Sequence, residues 1–205
     1  MDVISALGLS SASGLNAYIP LLILGLLDRY TSAVDLPSTW SWLSSPWALG
    51  IITVLLIVEI AADKIPAFDS VNDIIHTVIR PVSGGITFSS ATAGEIAAAA
   101  SNASHTASSG GFPWASFIVG CLVALVFHGA KATARPVANV STAGFAAPAL
   151  SAGEDVVAFL MSLAAILVPV LALVIVIAIV AFFAWVLLSL RRVRNYARSR
   201  RNGVV

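Results

Sequence analysis

Charged residues are scarce in this sequence. They make up 10% of the 205 residues, whereas hydrophobic residues make up 59%. A soluble domain usually carries about 25% charged residues, so this chain has too few of them to cover a surface that faces water. The same scarcity excludes an intrinsically disordered chain, because disordered chains are polar and highly charged. The composition therefore predicts an integral membrane protein.

Cysteine is almost absent, since the only one is Cys121, inside an apolar run. A single cysteine allows neither a disulfide framework nor a thiolate metal cluster. The sequence also lacks the HExxH, GxSxG, P-loop and dinucleotide-binding glycine patterns that accompany common catalytic and cofactor sites. We therefore predict no cofactor, no metal centre and no catalytic residues, and an enzyme is the less favoured reading.

Five stretches qualify as membrane spans, each of which needs about 20 mostly apolar residues. They lie at about 3–28, 46–62, 83–103, 113–130 and 156–190. The third consists of small residues, so we expect an interior helix that its neighbours shield from lipid. The last is longer than one perpendicular crossing and contains Pro169, which predicts a kinked helix or an additional short one. The expected fold is an all-α, polytopic transmembrane helical bundle of five to six spans.

The basic residues are concentrated at one end of the chain. Six of the eleven are arginines in the segment RRVRNYARSRR, at 191–201. The positive-inside rule then predicts a multi-pass protein of the inner (plasma) membrane with a cytoplasmic C-terminus. The tail is short and lacks interleaved aromatic residues, so we expect no nucleic-acid partner. With five spans, Lys64, Arg80, Lys131 and Arg135 would face the outside. Either a sixth span exists or these residues do not lie in ordinary loops.

An internal duplication is indicated by matches between positions 46 and 113 and their surroundings. The tripeptide Pro-Trp-Ala occurs at both positions, and in the same register Lys64 matches Lys131, Asn72 matches Asn139, and Pro81 matches Pro148. Transporters often build a site between internal repeats. We predict one transmembrane domain at 1–190, with repeat units at about 5–82 and 83–150, an extra helix at about 154–190, and a basic tail at 191–205. Whether the repeats are parallel or inverted is left open.

Polar segments follow the second and fourth spans. After the second, Pro66 and Pro81 enclose a stretch in which Asp69, Asp73, His76 and Arg80 recur at helical spacing and share one face. One interpretation is an amphipathic helix on the membrane surface with a solvated polar face. The other is a re-entrant or pore-facing helix, because polar segments at membrane depth must line protein or water. After the fourth span, glycine and proline at 128–155 predict a broken hairpin within the bundle.

Ionisable side chains at membrane depth are candidates for function, because each costs roughly 2.5–3.5 kcal/mol to insert. Glu95 lies within the third predicted span and is the strongest single candidate. Glu59 fits a site or an interfacial pair with Lys64 equally well. For the remaining polar residues of the spans we expect structural roles: a helix-end histidine at His128, a contact between helices at Asn16, and the first turn of the last helix at Glu154 and Asp155.

The chain resembles a known family in four segments: GLNAYIPLL at 14–22, DKIPAFD at 63–69, RPVSGG at 80–85 and ARPVANVSTAG at 134–144. These are similar to a bacterial integral-membrane family that is catalogued as a domain of unknown function, DUF4126. The resemblance covers most of the chain, about residues 5–170, and the first two segments are its most specific parts. It implies a small protein with several membrane spans and supplies no activity.

The sequence favours a small transporter or channel-like protein with a polar pathway between two homologous halves. We predict binding of an anionic solute or a lipid phosphate headgroup by Lys64, Arg80, Lys131, Arg135, Asn72 and Asn139, and coupling of protons or ions by Asp69, Asp73, His76 and Glu95. The expected partners are membrane lipids and a second copy of the chain. Two alternatives stay open: a membrane-embedded enzyme acting on lipids, with its metal or acid–base group at Asp69, Asp73 and His76, and a non-catalytic scaffold.

Overall fold

A computed structural model describes residues 1–63, 75–92, 112–142 and 147–202, and it describes their side chains except at 134–142, 147, 183, 186–187 and 189–202. These ranges contain helices and no strands. The helices are α1 (Val3–Leu15), α2 (Tyr18–Tyr30), α3 (Pro46–Ala62), α4 (helical over 75–92), α5 (Trp114–Thr142), α6 (Ala147–Leu167) and α7 (Pro169–Asn202). A short 3-10 helix, Ser41–Ser44, precedes α3. The all-α prediction is confirmed for the described chain.

Helix α1 is the central helix of the first compact unit, Met1–Leu173. Ten of its 13 residues are buried, and most of them are serine, glycine or alanine. Side chains this small allow close backbone approach: a Cβ atom on Gly14 would lie 2.5 Å from the carbonyl oxygen of Ala124 in α5. Ser10 Oγ donates a hydrogen bond to the carbonyl of Gly120 at 2.7 Å. The composition of α1 therefore fixes its place between α5 and α6.

The first predicted span is two helices, separated at Asn16 and Ala17. Asn16 has an extended backbone (φ −139°, ψ 125°), and its side-chain oxygen accepts hydrogen bonds from the backbone N–H groups of Tyr18 and Ile19, both at 3.0 Å. An asparagine that accepts from the second and third residues after it is an effective helix N-cap. Asn16 thus begins α2 where α1 ends.

Helix α4 contains the described part of the third predicted span. Residues 83–85 and 87–92 are buried, so the interior position predicted for this segment is confirmed over 83–92, and 93–103 lie outside the described residues. The prediction that Pro81 ends the preceding polar segment is wrong, because α4 passes through Pro81. Proline removes one backbone N–H donor from a helix. Two residues later, Ser83 Oγ donates to the carbonyl of Ala17 at 2.6 Å and holds this part of α4 beside the start of α2.

The segment predicted to be a broken hairpin, 128–155, is helical wherever the structure describes it. Helix α5 continues through Pro136 to Thr142, and α6 begins at Ala147. The breaks expected within 128–142 and 147–155 are therefore absent, whereas 143–146 lie outside the described residues and the hairpin itself stays a prediction. Glu154 and Asp155 lie beyond the first turn of α6, which corrects the prediction that they begin the last helix. The interruption expected at Pro169 is confirmed, because α6 ends at Leu167 and α7 begins at Pro169.

Large apolar side chains point outward from several helices. Ile51 and Val54 of α3 and Leu122 and Val126 of α5 are all more than half exposed. Two segments, Trp114–Thr133 and Pro148–Leu167, are long and apolar enough to cross a membrane, and only 33% and 28% of their apolar windows are buried. The other spans and the internal repeat stay predictions. A second compact unit, Val174–Val205, contains most of α7.

Candidate functional site

Seven ionisable side chains from four helices meet inside the first compact unit. We call them the ionic cluster: Glu59 and Asp63 at the end of α3, His76 and Arg80 on α4, His128 and Lys131 on α5, and Glu154 on α6. All except Glu154 are buried, and Arg80 and Lys131 are the two largest fully buried side chains of the described residues. The charged side chains of this cluster therefore lie in the interior of the unit, whereas many large apolar side chains of the described residues are exposed.

Arg80 joins α3 to α5. Its Nη2 atom donates to Glu59 Oε1 at 3.1 Å, and its Nη1 atom lies 3.0 Å from His128 Nδ1. A guanidinium group only donates hydrogen bonds, so His128 Nδ1 must accept and carries no proton. The proton of this imidazole is then on Nε2, 3.2 Å from the hydroxyl oxygen of Thr77. Arg80 thereby holds His128 in one neutral tautomer.

Three buried atoms beside this ion pair have no hydrogen-bond partner: Glu59 Oε2, His76 Nδ1 and Arg80 Nε. His76 Nδ1 lies 3.5 Å from Glu59 Oε1, and the edge of the Tyr18 ring packs against the imidazole with the ring centroids 5.9 Å apart. An unsatisfied buried donor or acceptor costs about 1–3 kcal/mol. Such groups are uncommon in native interiors and call for a functional or structural explanation. Their convergence on one ion pair makes this part of the cluster a candidate binding site.

Lys131 of α5 contacts the end of α1, where the chain breaks before α2, and also contacts α3 and α6. Its Nζ atom lies 2.8 Å from Glu154 Oε2 and 3.9 Å from Asp63 Oδ2, and it donates to the carbonyl of Leu15 at 3.0 Å. The last carbonyls of a helix have no partner within the helix, so the ammonium group satisfies a group that the break leaves open. Ser151 of α6 donates to the same Asp63 oxygen at 3.0 Å.

A further hydrogen bond connects the helix break to α6. The side-chain nitrogen of Asn16 donates to Asp155 Oδ1 at 2.9 Å. The amide of Asn16 thus uses its oxygen to cap α2 and its nitrogen to bind a carboxylate of another helix. The break between α1 and α2 is consequently held from α5 by Lys131 and from α6 by Asp155.

Three of the ten predicted site residues lie in the ionic cluster: His76, Arg80 and Lys131. The predicted common face of α4 places His76 and Arg80 in the interior, both almost fully buried. The two cations do not form a purely cationic site, because Arg80 contacts Glu59 and Lys131 contacts Glu154. The other seven are not described: Lys64, Asp69, Asn72, Asp73 and Glu95 lie outside the described residues, and the side chains of Arg135 and Asn139 on α5 are not described.

Sequence reasoning did not predict which acidic residues pair with the cations of the cluster. Glu59 was expected at an interfacial position or in a site, and the structure buries it against Arg80. His128 was expected at a helix end, and it lies inside α5. Asp63 and Glu154 meet at Lys131 although they are far apart in sequence. A usable signal existed, because each of these residues interrupts or borders an apolar stretch where a charge needs a partner.

The described residues contain no group of three or more His, Cys, Asp or Glu side chains arranged to hold a metal ion. The metal group considered for a lipid-modifying enzyme includes Asp69 and Asp73, which lie outside those residues. A model of one protein family, described as a domain of unknown function (DUF4126), matches residues 3–189. Neither a curated protein sequence nor a solved structure matches the chain significantly.

Proposed function

The chain belongs to the DUF4126 family, and we propose that it is a small integral membrane transporter or channel-like protein. It moves an anionic solute or a lipid phosphate headgroup through a polar pathway that includes the ionic cluster. The observation that carries the proposal is the convergence of buried charges from four helices on a broken helix.

The distribution of polarity supports a membrane location. Arg80 is fully buried, whereas Leu122 on the outside of α5 is 58% exposed. In water this arrangement would leave apolar surface exposed and charges desolvated, and both are unfavourable. In a bilayer the apolar surface faces lipid, and the buried charges lie where intramembrane ionisable groups usually mark ion or substrate pathways.

The break between α1 and α2 supports a transport role. Discontinuous helices in transporters expose backbone groups near the middle of the membrane, where they bind substrates and coupling ions. Here the carbonyl of Leu15 is bound by the ammonium group of Lys131, and Asn16 begins α2. An internal cation, Lys131, thus occupies the kind of position that a bound ion takes at other helix breaks.

The two cations of the cluster supply hydrogen-bond donors for an anionic substrate. Arg80 and Lys131 each contact a carboxylate that another oxyanion can replace. Guanidinium groups match phosphate and carboxylate through paired N–H donors, and Arg80 Nε has no protein partner. A free phosphate and the phosphate of a lipid headgroup would be recognised by the same donors.

Reconstitution into liposomes tests the proposal. We expect uptake of radiolabelled inorganic phosphate if the substrate is a solute, and movement of labelled phosphatidic acid between leaflets if it is a headgroup. Arg80→Gln should lower the active flux about 10- to 100-fold, which corresponds to the loss of a charged hydrogen bond of about 1.5–3 kcal/mol. Arg29→Gln is the control, because Arg29 is exposed and donates to the carbonyl of Ser44.

Absence of flux in liposomes would favour the scaffold alternative. If well-folded wild-type protein moves neither phosphate nor phosphatidic acid, the proposal that it transports an anion or a lipid headgroup is wrong. The scaffold alternative has its own support, because the charges of Arg80 and Lys131 are paired and α1 packs through small residues. It predicts that Arg80→Gln changes the recovery of a partner complex from native membranes and changes no flux.

A further inference from the structure

We propose that Glu59 and His76 form the proton-exchanging pair of this protein, and that one proton enters this pair with each anion that binds Arg80. The inference rests on the proposed transport function and names its coupling ion. It identifies Glu59, on α3, as a partner of the predicted coupling residue His76.

The geometry of the pair allows it to hold one additional proton. His76 Nδ1 lies 3.5 Å from Glu59 Oε1, and both His76 Nδ1 and Glu59 Oε2 are buried without a hydrogen-bond partner. A proton on Nδ1 can point to the carboxylate, and a proton on Oε2 occupies the one carboxylate oxygen that Arg80 does not contact. Only an N–H or O–H bond forms or breaks: the proton comes from water on one side of the membrane and returns to water on the other.

Charge balance links this proton to an anion. Glu59 and Arg80 cancel one another as an ion pair, so a proton on Glu59 leaves the guanidinium of Arg80 without its carboxylate counter-ion. An isolated charge in such a place is costly. An anion on the Arg80 guanidinium replaces the interaction that Arg80 loses when Glu59 is protonated. Proton and anion therefore stabilise one another, and the effect is reciprocal.

The charged groups around the Glu59–His76 pair also affect its protonation. Burial disfavours a proton on His76 most strongly, Arg80 on α4 and Lys131 and His128 on α5 also disfavour it, and Asp63 at the end of α3 favours it. Tyr18 on α2 interacts electrostatically with both Glu59 and Arg80. The repulsion from Arg80 is the contribution that a bound anion cancels, since this cation is the one proposed to contact the solute.

The second histidine of the cluster is not the proton carrier. His128 Nδ1 faces a donor of Arg80 at 3.0 Å, and a second proton on this imidazole would direct an N–H group at a guanidinium N–H group. Protonation of His128 Nδ1 would therefore require Arg80 to move away. A general effect of pH on the protein would act on both buried histidines, whereas the proposal concerns His76 and not His128.

Infrared difference spectroscopy of full-length protein in lipid nanodiscs tests the pair. We expect a carboxylic-acid signal from Glu59 that changes as the pH is lowered from about 8 to about 5. The carboxylic-acid change should be lost in Glu59→Gln and retained in Glu154→Gln, a matched control that removes another carboxylate from an ion pair. Nitrogen-15 NMR of wild-type histidines provides a second readout that needs no cluster variant: His76 changes with pH and His128 does not.

Sulfate tests the coupling, because its charge is constant over this pH range. With one linked proton, its apparent affinity should rise about tenfold for each unit of decrease in pH on the alkaline side of the titration, and Glu59→Gln should remove this dependence. If Glu59 and His76 show no spectral change with pH, or if sulfate affinity ignores pH, the inference is wrong. Phosphate or headgroup flux would then still support transport, whereas a pH-dependent pair with linked sulfate binding and no flux would contradict the transport function alone.

Discussion

Replacement of Lys131 by methionine should destabilise the protein strongly. Methionine keeps the apolar length of the side chain and removes the ammonium group. The group lost contacts Glu154 Oε2 at 2.8 Å, the carbonyl of Leu15 at 3.0 Å and Asp63 Oδ2 at 3.9 Å. The variant therefore leaves two carboxylates without this cation and a helix-end carbonyl without this donor.

The expected loss is about 3 kcal/mol in the free energy of unfolding. Removal of one member of a buried ion pair costs about 3–5 kcal/mol. The lower end applies here because the Glu154 side chain is 19% exposed, so solvent can partly replace Lys131. For a chain of this size 1 kcal/mol corresponds to about 2–4 °C in Tm, and the loss translates into a decrease of about 6–12 °C.

Thermal unfolding in detergent, followed by tryptophan fluorescence at one fixed scan rate, measures this change. Arg29→Met is the matched control, because it removes a cation that is exposed, and its effect should stay within about 0.5 kcal/mol. The double variant Lys131→Met/Glu154→Gln should recover about 1 kcal/mol or more relative to additivity. A Lys131→Met protein as stable as the wild type, or a double variant with purely additive losses, would refute the ion-pair reasoning.

Three further variants test other parts of the structure by the same thermal assay. Asn16→Ala should cost about 2 kcal/mol, because it removes both the N-cap of α2 and a hydrogen bond to a carboxylate of α6, and an unchanged Tm would contradict this role. Gly120→Ala should cost about 1–3 kcal/mol, because its Cβ would overlap a backbone carbonyl of α4, whereas Gly129→Ala, which meets open space, should cost nothing. The Ser5 N–H group donates to Asp2 at 2.7 Å and lowers the pKa of that carboxyl group. The cap contributes fully above the ordinary pKa and is lost as pH falls through the lowered value, so the Tm difference between wild type and Asp2→Ala should disappear in strong acid.

The sequence predicted the features that depend on composition. Small residues in the third predicted span place α4 in the interior over 83–92 because only small side chains allow such close packing, as at Gly84 beside Ala124. The interruption at Pro169 follows from the geometry of proline. His76 and Arg80 share a buried face of α4 because their spacing matches the helical period, and this relation is local.

The features that sequence reasoning missed depend on contacts between distant segments. Arg80 pairs with Glu59, 21 positions away, and Lys131 pairs with Glu154, 23 positions away. No local period connects such residues. The break at Asn16 depends on its hydrogen bond to Asp155 as well as on its own capping ability. Helix α4 also continues through Pro81, which the tendency of proline to end or kink a helix does not predict.

The direct test of a gated polar pathway is the accessibility of a cysteine next to the ionic cluster. Ser151→Cys, in a Cys121→Ser background, places a thiol where the serine hydroxyl donates to Asp63. Ser162→Cys is the control on the same helix, because Ser162 is buried and bonds to its own helix at Ala158. The transport account predicts that a membrane-impermeant thiol reagent modifies Ser151→Cys from one side, that phosphate or a pH gradient changes the side or the rate, and that Ser162→Cys stays unmodified. Rapid modification of Ser151→Cys from one side that neither solute nor gradient alters, or no modification under any condition, would contradict it.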